Sequence, residues 1–333
     1  MQRRFKSRPR NEIGQINKIF ANPFYPNKVN STSQAALKGR LLMPQNVALS
    51  RLLNETGGKG ISITLEVLNA DRALIITVPN GQKEPITISL FLNSDEDLPE
   101  DFKGYWHKTF TEGDRYALQF VLSKSYSDKT PQVKLSRAEY AKLRGANRAN
   151  SKKEIEHALS VLLRLVLNGA NILNHEAPDP LTTKEANNSD TAYSVHLGHA
   201  FFEENIKNAP YIAYLEEYFK LNLKEHPHAR AILAYCTDLY QYLAIKNRLE
   251  QDHMIELSLK KLISLTGINV EAAIKNRKAQ ARISGPIERD LNYLALKGLI
   301  EWERLNNPKQ LLSTRYSIKL VNDYLLTVCK EAE

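Results

Sequence analysis

The chain has 333 residues, 42% of them hydrophobic, with a formal net charge of +9 and a pI near 9.3. That length implies two or three domains with real cores, and the excess of base favours a polyanionic partner. It contains no run of 18 apolar residues and no apolar leader segment, so neither a membrane span nor secretion is expected and the protein is placed in the cytoplasm.

Residues 1–30 open with MQRRFKSRPR, five bases in ten residues and no acid. Such an arm has nothing to bury and is expected to be disordered, either lying along phosphates or in a minor groove, or acting only as a solubilising tail. Residues 31–100 form a β-rich module. MPQNVALSRLLNE predicts a short helix, and GISITLEVL, ALIITVP and PITISLFL predict strands, the last two parted by the turn pair Asn80-Gly81. GGKG at 57–60 lacks the GK[ST] ending and following helix of a phosphate loop. The acidic stretch NSDEDLPED marks a boundary.

From 101 to 205 the pattern predicts a first compact unit. TEGDRYALQFVLSKSY supplies an opening helix capped by Thr111 or Asp114, with a strand as the competing reading. A strand at Val133, a helix over 137–143 and a long helix over 151–167 follow, the last with Ser151 and Glu154 as a capping box. NILNHE and TAYSVHL read as strands on either side of a long polar loop. The join that follows carries Ile206, Tyr211, Tyr214, Leu215, Tyr218 and Phe219 at helical spacing, which reads as a core seam and not as a base-stacking platform.

Residues 206–333 hold the second unit. HARAILAYCTDLYQYLAIKN is its opening helix, MIELS a strand, and LKKLISLTG a helix capped by Ser258 and ended by Gly267. A third helix is expected to start near Ser284, with Pro286 in its first turn, and to end around Gly298. LIEWERL and TRYSIKL are its closing strands. The two cysteines, Cys236 and Cys329, sit on apolar helical faces without disulfide or metal spacing.

Much of the second unit repeats the first. VKLSRAEYAKLRG, ending at Gly145, aligns without a gap on IELSLKKLISLTG, ending at Gly267; IEHALSVLLRLVL from Ile155 aligns on IERDLNYLALKGLI from Ile287; AYSVHL from Ala192 aligns on RYSIKL from Arg315. Segments recurring in one order across unequal gaps indicate a duplicated domain. Helix, strand, helix, helix, strand, turn, strand is the order of a winged helix, whose third helix enters the major groove. The fold class expected is therefore α+β: two tandem winged-helix domains preceded by a small β-rich module. Winged helices also serve as protein-binding modules, which stays open as a competing reading.

The chemistry concentrates around the third helix of each unit. Lys275, Arg277, Lys278 and Arg282 lead into Arg289, with Ser284, Asn292 and Tyr293 facing bases or backbone and Lys297 deeper along the helix. The matching first-unit positions are Asn147, Arg148, Asn150, Lys152, Lys153, Glu156 and His157, and Arg315 joins the candidates from a wing strand. A basic cluster is often just a solvated helix end, but here it recurs at the same place in both repeats. Catalytic readings are weaker. His226-Pro227-His228 resembles the His-hydrophobic-His metal motif of nicking enzymes, yet it contains proline, and no acidic partner is apparent in the sequence. No nucleophile elbow or CxxC occurs, so no enzyme, cofactor or metal is expected.

Two winged helices in tandem resemble the plasmid replication initiator proteins that bind repeated sequences, called iterons, at an origin. HARAILAYCTDLYQYL is similar to that family's second-domain entry and FFEENIKNAPYIAYLEEY to its inter-domain join. The resemblance spans about 105–320. It implies binding of double-stranded DNA at direct repeats, melting of adjacent A·T-rich DNA, recruitment of host replication proteins, and a homodimer formed through the first domain. A winged-helix transcriptional repressor or a phage or plasmid partition regulator is the alternative in the same binding class.

Overall fold

The computed structural model describes residues 40–44, 46–54, 61–68, 71–80, 83–93, 101–175, 192–209, 211–245, 254–266, 268, 270, 279–306 and 311–321. The basic arm, the GGKG stretch, most of the acidic boundary, the long loop at 176–191, Gly267, Lys275, Arg277, Lys278 and Cys329 lie outside the described residues.

The chain is an α+β protein. It begins with β1 (Arg40–Pro44) and α1 (Val47–Asn54), where Asn46 Oδ1 accepts from the Leu49 N–H at 2.8 Å and so starts the helix. β2 (Ser62–Leu68), β3 (Asp71–Asn80) and β4 (Lys83–Phe91) follow as an antiparallel meander. In β3 the run Ala73 to Ile76 is wholly buried, as suits a central strand, whereas β2 at the edge has no buried residue.

After α2 (Phe102–Thr109), α3 (Glu112–Asp128) is started by the capping box of Thr111 and Asp114, which decides for helix over strand. Next come β5 (Gln132–Ser136), α4 (Arg137–Arg144), α5 (Arg148–Leu162), β6 (Leu165–Leu167), β7 (Ala170–Asn171) and β8 (Ala192–His196). α4 ends at Gly145 with φ +59°, where a Cβ would make only ordinary contact with Lys220 Cγ at 3.6 Å. Gly145→Ala is therefore expected to lower stability by about 1–2 kcal/mol through backbone strain and not crowding, read from the urea midpoint.

The remaining elements are α6 (His199–Asn205), β9 (Tyr211–Leu215), the one-turn α7 (Glu216–Phe219), α8 (Ala229–Ile245), β10 (Met254–Ser258), α9 (Leu259–Thr266), α10 (Ala279–Leu296), β11 (Ile300–Arg304) and β12 (Arg315–Leu320). Ser258 caps α9 by accepting from the Lys261 N–H at 3.2 Å. β12 lies between β10 and β11, antiparallel to both.

Several boundaries differ from expectation, each for a local reason. α5 starts at Arg148, because Asn147 caps it by accepting from the Asn150 N–H at 2.8 Å. Ser151 is then inside the helix and fully buried, and Glu154 is held by the Tyr140 hydroxyl at 2.7 Å and Arg144 at 3.1 Å, so no capping box forms there. The helix stops at Leu162, and Leu165–Leu167 pairs with β4 as a strand. That pairing gives the sheet order β2-β3-β4-β6-β7, so the 31–100 stretch shares a sheet with the first repeat and the boundary expected near 100 is crossed.

α10 begins at Ala279, which puts Pro286 inside it and not in its first turn. The join is not a continuous helix either: YIAYL is a strand because RLLMP of β1 offers it an antiparallel partner. Three of its aromatic residues, Tyr214, Tyr218 and Phe219, are at most 1% exposed, as expected of a core seam.

The segments that align in sequence share part of their packing, although among the described residues β12 pairs with both β10 and β11 whereas β6 pairs with β4 and β7 and not with β8. Ile155, Ala158, Leu159 and Leu162 of α5 are buried, and so are their aligned counterparts Ile287, Asp290, Leu291 and Leu294 of α10. Tyr193 of β8 donates its hydroxyl to Glu156 at 3.2 Å, and the aligned Tyr316 of β12 donates to Glu288 at 2.8 Å. Each repeat thus ties its third helix to its last strand by the same tyrosine–glutamate bond.

The join is wedged between the repeats by a buried polar network. Arg230, 1% exposed at the start of α8, donates to Glu112 of α3, to the Tyr218 hydroxyl at 2.9 Å and to the Leu53 carbonyl of α1 at 2.7 Å. Tyr116 donates to the Tyr218 carbonyl at 2.7 Å, Tyr218 to Gln119 at 3.1 Å, and Arg144 to the Phe219 carbonyl. Burial alone would raise the Glu112 carboxyl, but the Arg230 and Arg115 guanidiniums outweigh it and hold it below its ordinary range. These contacts link the start of α8 to α1, α3 and α7 through buried side chains.

Candidate nucleic-acid interface

α10 separates its residues cleanly. Ile283, Ser284, Ile287, Asp290, Leu291 and Leu294 are buried, while Arg282, Arg289, Asn292 and Leu296 are exposed at the three-and-four spacing of one helix face, with Lys297 exposed just beyond it. Both acids of the helix are turned away from that face. Glu288 accepts from Tyr316, and Asp290, 0% exposed, accepts from the His228 N–H at 2.9 Å and lies 3.1 Å from His226 Nδ1. A polar face with two arginines, an asparagine and no carboxylate suits a phosphate-bearing partner, since arginine and asparagine can each address a base edge with two hydrogen bonds.

The acidic partner that the sequence did not show for His226 is therefore Asp290, and it serves to anchor α10. The His226 ring stacks on Tyr293 at 3.8 Å and 3°, and the Tyr293 hydroxyl accepts from the Asn222 N–H at 2.9 Å. Loop 222–228 is thereby clamped to α10 at Tyr293, one turn from both Arg289 and Leu296. Among the described residues no group of three His, Cys, Asp or Glu could hold a metal ion.

His228 lies behind the same clamp, lining a small cavity with Glu112, Arg115 and Arg230. Burial pulls its imidazole below its ordinary value of 6.5, and the Asp290 carboxylate offsets this only in part. As pH falls below 6.5 the unfolded chain takes up a proton that the folded one resists, so His228 lowers stability progressively on acidification. His228→Gln is expected to shrink the fall in urea midpoint between about pH 7 and about pH 5.5, where an unchanged profile would remove His228 as the cause.

In the first repeat, α5 exposes Arg148, Asn150, Lys152, Lys153, His157 and Ser160. Its acids are also engaged with the protein: Glu154 by Tyr140 and Arg144, Glu156 by Tyr193 and, at 3.7 Å, by Lys152. His157 is 52% exposed, and its Nδ1 lies 2.7 Å from Oδ1 of the buried Asp114. The other oxygen of Asp114 accepts from the Thr111 N–H at 2.7 Å, so one carboxylate both starts α3 and orients the imidazole of α5. Residues aligned between the repeats face outward together: Asn150 with Arg282, His157 with Arg289, Ser160 with Asn292.

Three candidates are placed differently from expectation. Ser284 is 2% exposed, because α10 starts five residues before it and turns it inward. Tyr293 is half-buried, its ring stacked on His226 and its hydroxyl accepting from the Asn222 N–H, so it serves to hold loop 222–228 on α10. The Asn147 Oδ1 is occupied by capping, so Asn147 shapes the start of α5. Arg315 is exposed at the start of β12, 3.8 Å from Glu256. Lys275, Arg277 and Lys278, just upstream of α10, lie outside the described residues.

Asp114 was legible as a cap of α3, but its contact with His157, 43 residues away, was not, and neither was that of Asp290 with His226, 64 residues away, because no local signal marks a partner at that distance. Leu296 was also passed over, although a leucine in phase with Arg289 and Asn292 was there to be seen. Cys236 is buried, and burial pushes its thiol up to about 12, which makes it a packing residue and not a nucleophile. Among the described residues no helix is long and apolar enough to cross a membrane. No protein-family model matches the chain, and a search of curated proteins finds no similar sequence.

Proposed function

We propose that this protein binds double-stranded DNA sequence-specifically through two tandem winged helices, with α5 and α10 as the recognition helices, and that it acts as a replication initiator at direct repeats. One observation carries the reading. Two aligned helices each expose a basic or amide-bearing face, and each of their carboxylates accepts a hydrogen bond from elsewhere in the protein: Glu154 from Tyr140, Glu156 from Tyr193, Glu288 from Tyr316 and Asp290 from the His228 N–H.

Counterion release from phosphates supplies affinity to such faces, and arginine or asparagine at base edges supplies sequence preference. The network around Arg230 supports the tandem part of the reading, because a buried link from the start of α8 to α3 suits a site made of two similarly spaced half-sites. Initiation, recruitment of host replication proteins and homodimer formation through the first repeat rest on the resemblance to plasmid initiators.

Two experiments test it at its two levels. Hydroxyl-radical footprinting on a duplex selected from a randomised pool should show two protected patches about one helical turn apart; a single patch removes one of the recognition helices. A plasmid lacking its own origin should be maintained when it carries this gene with its flanking DNA. Binding without maintenance places the protein among repressors or partition regulators.

A further inference from the structure

Leu296 is 88% exposed, the most exposed large apolar side chain among the described residues. It lies one turn beyond Asn292 and two beyond Arg289 on the outward face of α10, with Lys297 beside it, and no acid shares that face from Arg282 onward. An isolated leucine is unremarkable on a solvated surface; one set in line with an arginine and an asparagine on a basic helix is in the company of residues that address base edges.

Resting on the DNA-binding reading above, we propose that Leu296 is a specificity-determining residue that packs against the 5-methyl group of a thymine in the major groove. The occupant follows from charge and from groove chemistry. The flanking Arg282, Arg289 and Lys297 select a polyanion, and the thymine methyl is the apolar group that duplex DNA presents in the major groove. Seven residues of helix separate Arg289 from Leu296, roughly 10 Å at 1.5 Å per residue, which matches about three base pairs at 3.4 Å each. The site should therefore carry a guanine contacted by Arg289 and, about three base pairs away, the thymine contacted by Leu296. The aligned first-repeat position is Arg164, half-buried and just past the end of α5, so this contact belongs to the second repeat alone.

The test uses the full chain and a duplex it has selected from a randomised pool, with each thymine replaced in turn by uracil, which removes only the methyl group. At one position the replacement should weaken binding by wild-type protein about fourfold, the ~0.8 kcal/mol of one buried methyl. Leu296→Ala should bind the thymine and uracil duplexes equally and melt at the wild-type temperature, since the side chain is exposed. The proposal is overturned if no thymine is sensitive, if Leu296→Ala keeps the full uracil penalty, or if it melts lower and so reveals that Leu296 packs against protein. If the pool yields no enriched duplex at all, the DNA-binding reading fails and takes this inference with it, a result distinct from binding that ignores the methyl.

Discussion

Arg230→Met is expected to lower folding stability by about 3 kcal/mol, the largest effect of any single substitution at the join. The guanidinium is 1% exposed and bonds α1, α3 and α7 at once, through Leu53, Glu112 and Tyr218. Removing it strands the Glu112 carboxylate beside Arg115 alone and leaves the Leu53 carbonyl and Tyr218 hydroxyl without that donor. The low end of the range for broken buried pairs applies because the Glu112 side chain keeps 27% exposure.

A second substitution separates the lost pair from the stranded charge. Adding Glu112→Gln to Arg230→Met should recover part of the loss, because an amide costs less than a carboxylate to leave half-buried without its partner. The pH profile offers an independent check. Glu112 is held below its ordinary value of 4.5, so its contribution is complete above that pH and is lost as pH falls further through the lowered value. Loss of Arg230 should flatten that acid limb. Equal acid sensitivity in wild type and Arg230→Met would show that the two groups are not coupled.

Arg289→Ala is expected to cost about 1–3 kcal/mol in specific DNA binding, a loss of roughly fivefold to 150-fold, with far less change on unrelated duplex. Its side chain is 56% exposed in the middle of the outward face, and its Nε lies 3.5 Å from Asp290, which steadies the start of the guanidinium without covering its outer edge. Arg282 and Lys297, at the two ends, are better placed for phosphates; their alanine variants should weaken specific and non-specific binding alike and each reduce the salt dependence by about one counterion. If Arg289→Ala weakens both kinds of binding equally, Arg289 is a phosphate contact too.

How much of this could be read beforehand depended on whether the deciding partner was local. The strands of the meander showed in their β-branched runs, and α3 in the Thr111-Asp114 cap, because both signals lie within a few residues. Ser151 and Glu154 mimicked a cap, but Asn147 stood four residues earlier with a freer side chain and captured the start. The short LVL run kept helical apolar spacing and turned to strand only because β4 offered an edge, and YIAYL did the same opposite β1. Pro286 read as a start signal, yet the helix-favouring Ala279 to Arg282 extended α10 ahead of it and carried Ser284 to the inner face. The repeat itself was legible as sequence, and its packing counterpart is the pair of bonds Tyr193–Glu156 and Tyr316–Glu288.

If α5 and α10 meet the phosphate backbone of duplex DNA together, binding must weaken steeply as salt rises. With Arg148, Lys152, Lys153, Arg282 and Lys297 as phosphate contacts, the plot of log affinity against log salt concentration should have a slope of roughly −4 to −5. Neutralising the three α5 cations should bring it to roughly −2. A slope near zero for the wild-type protein would contradict the account.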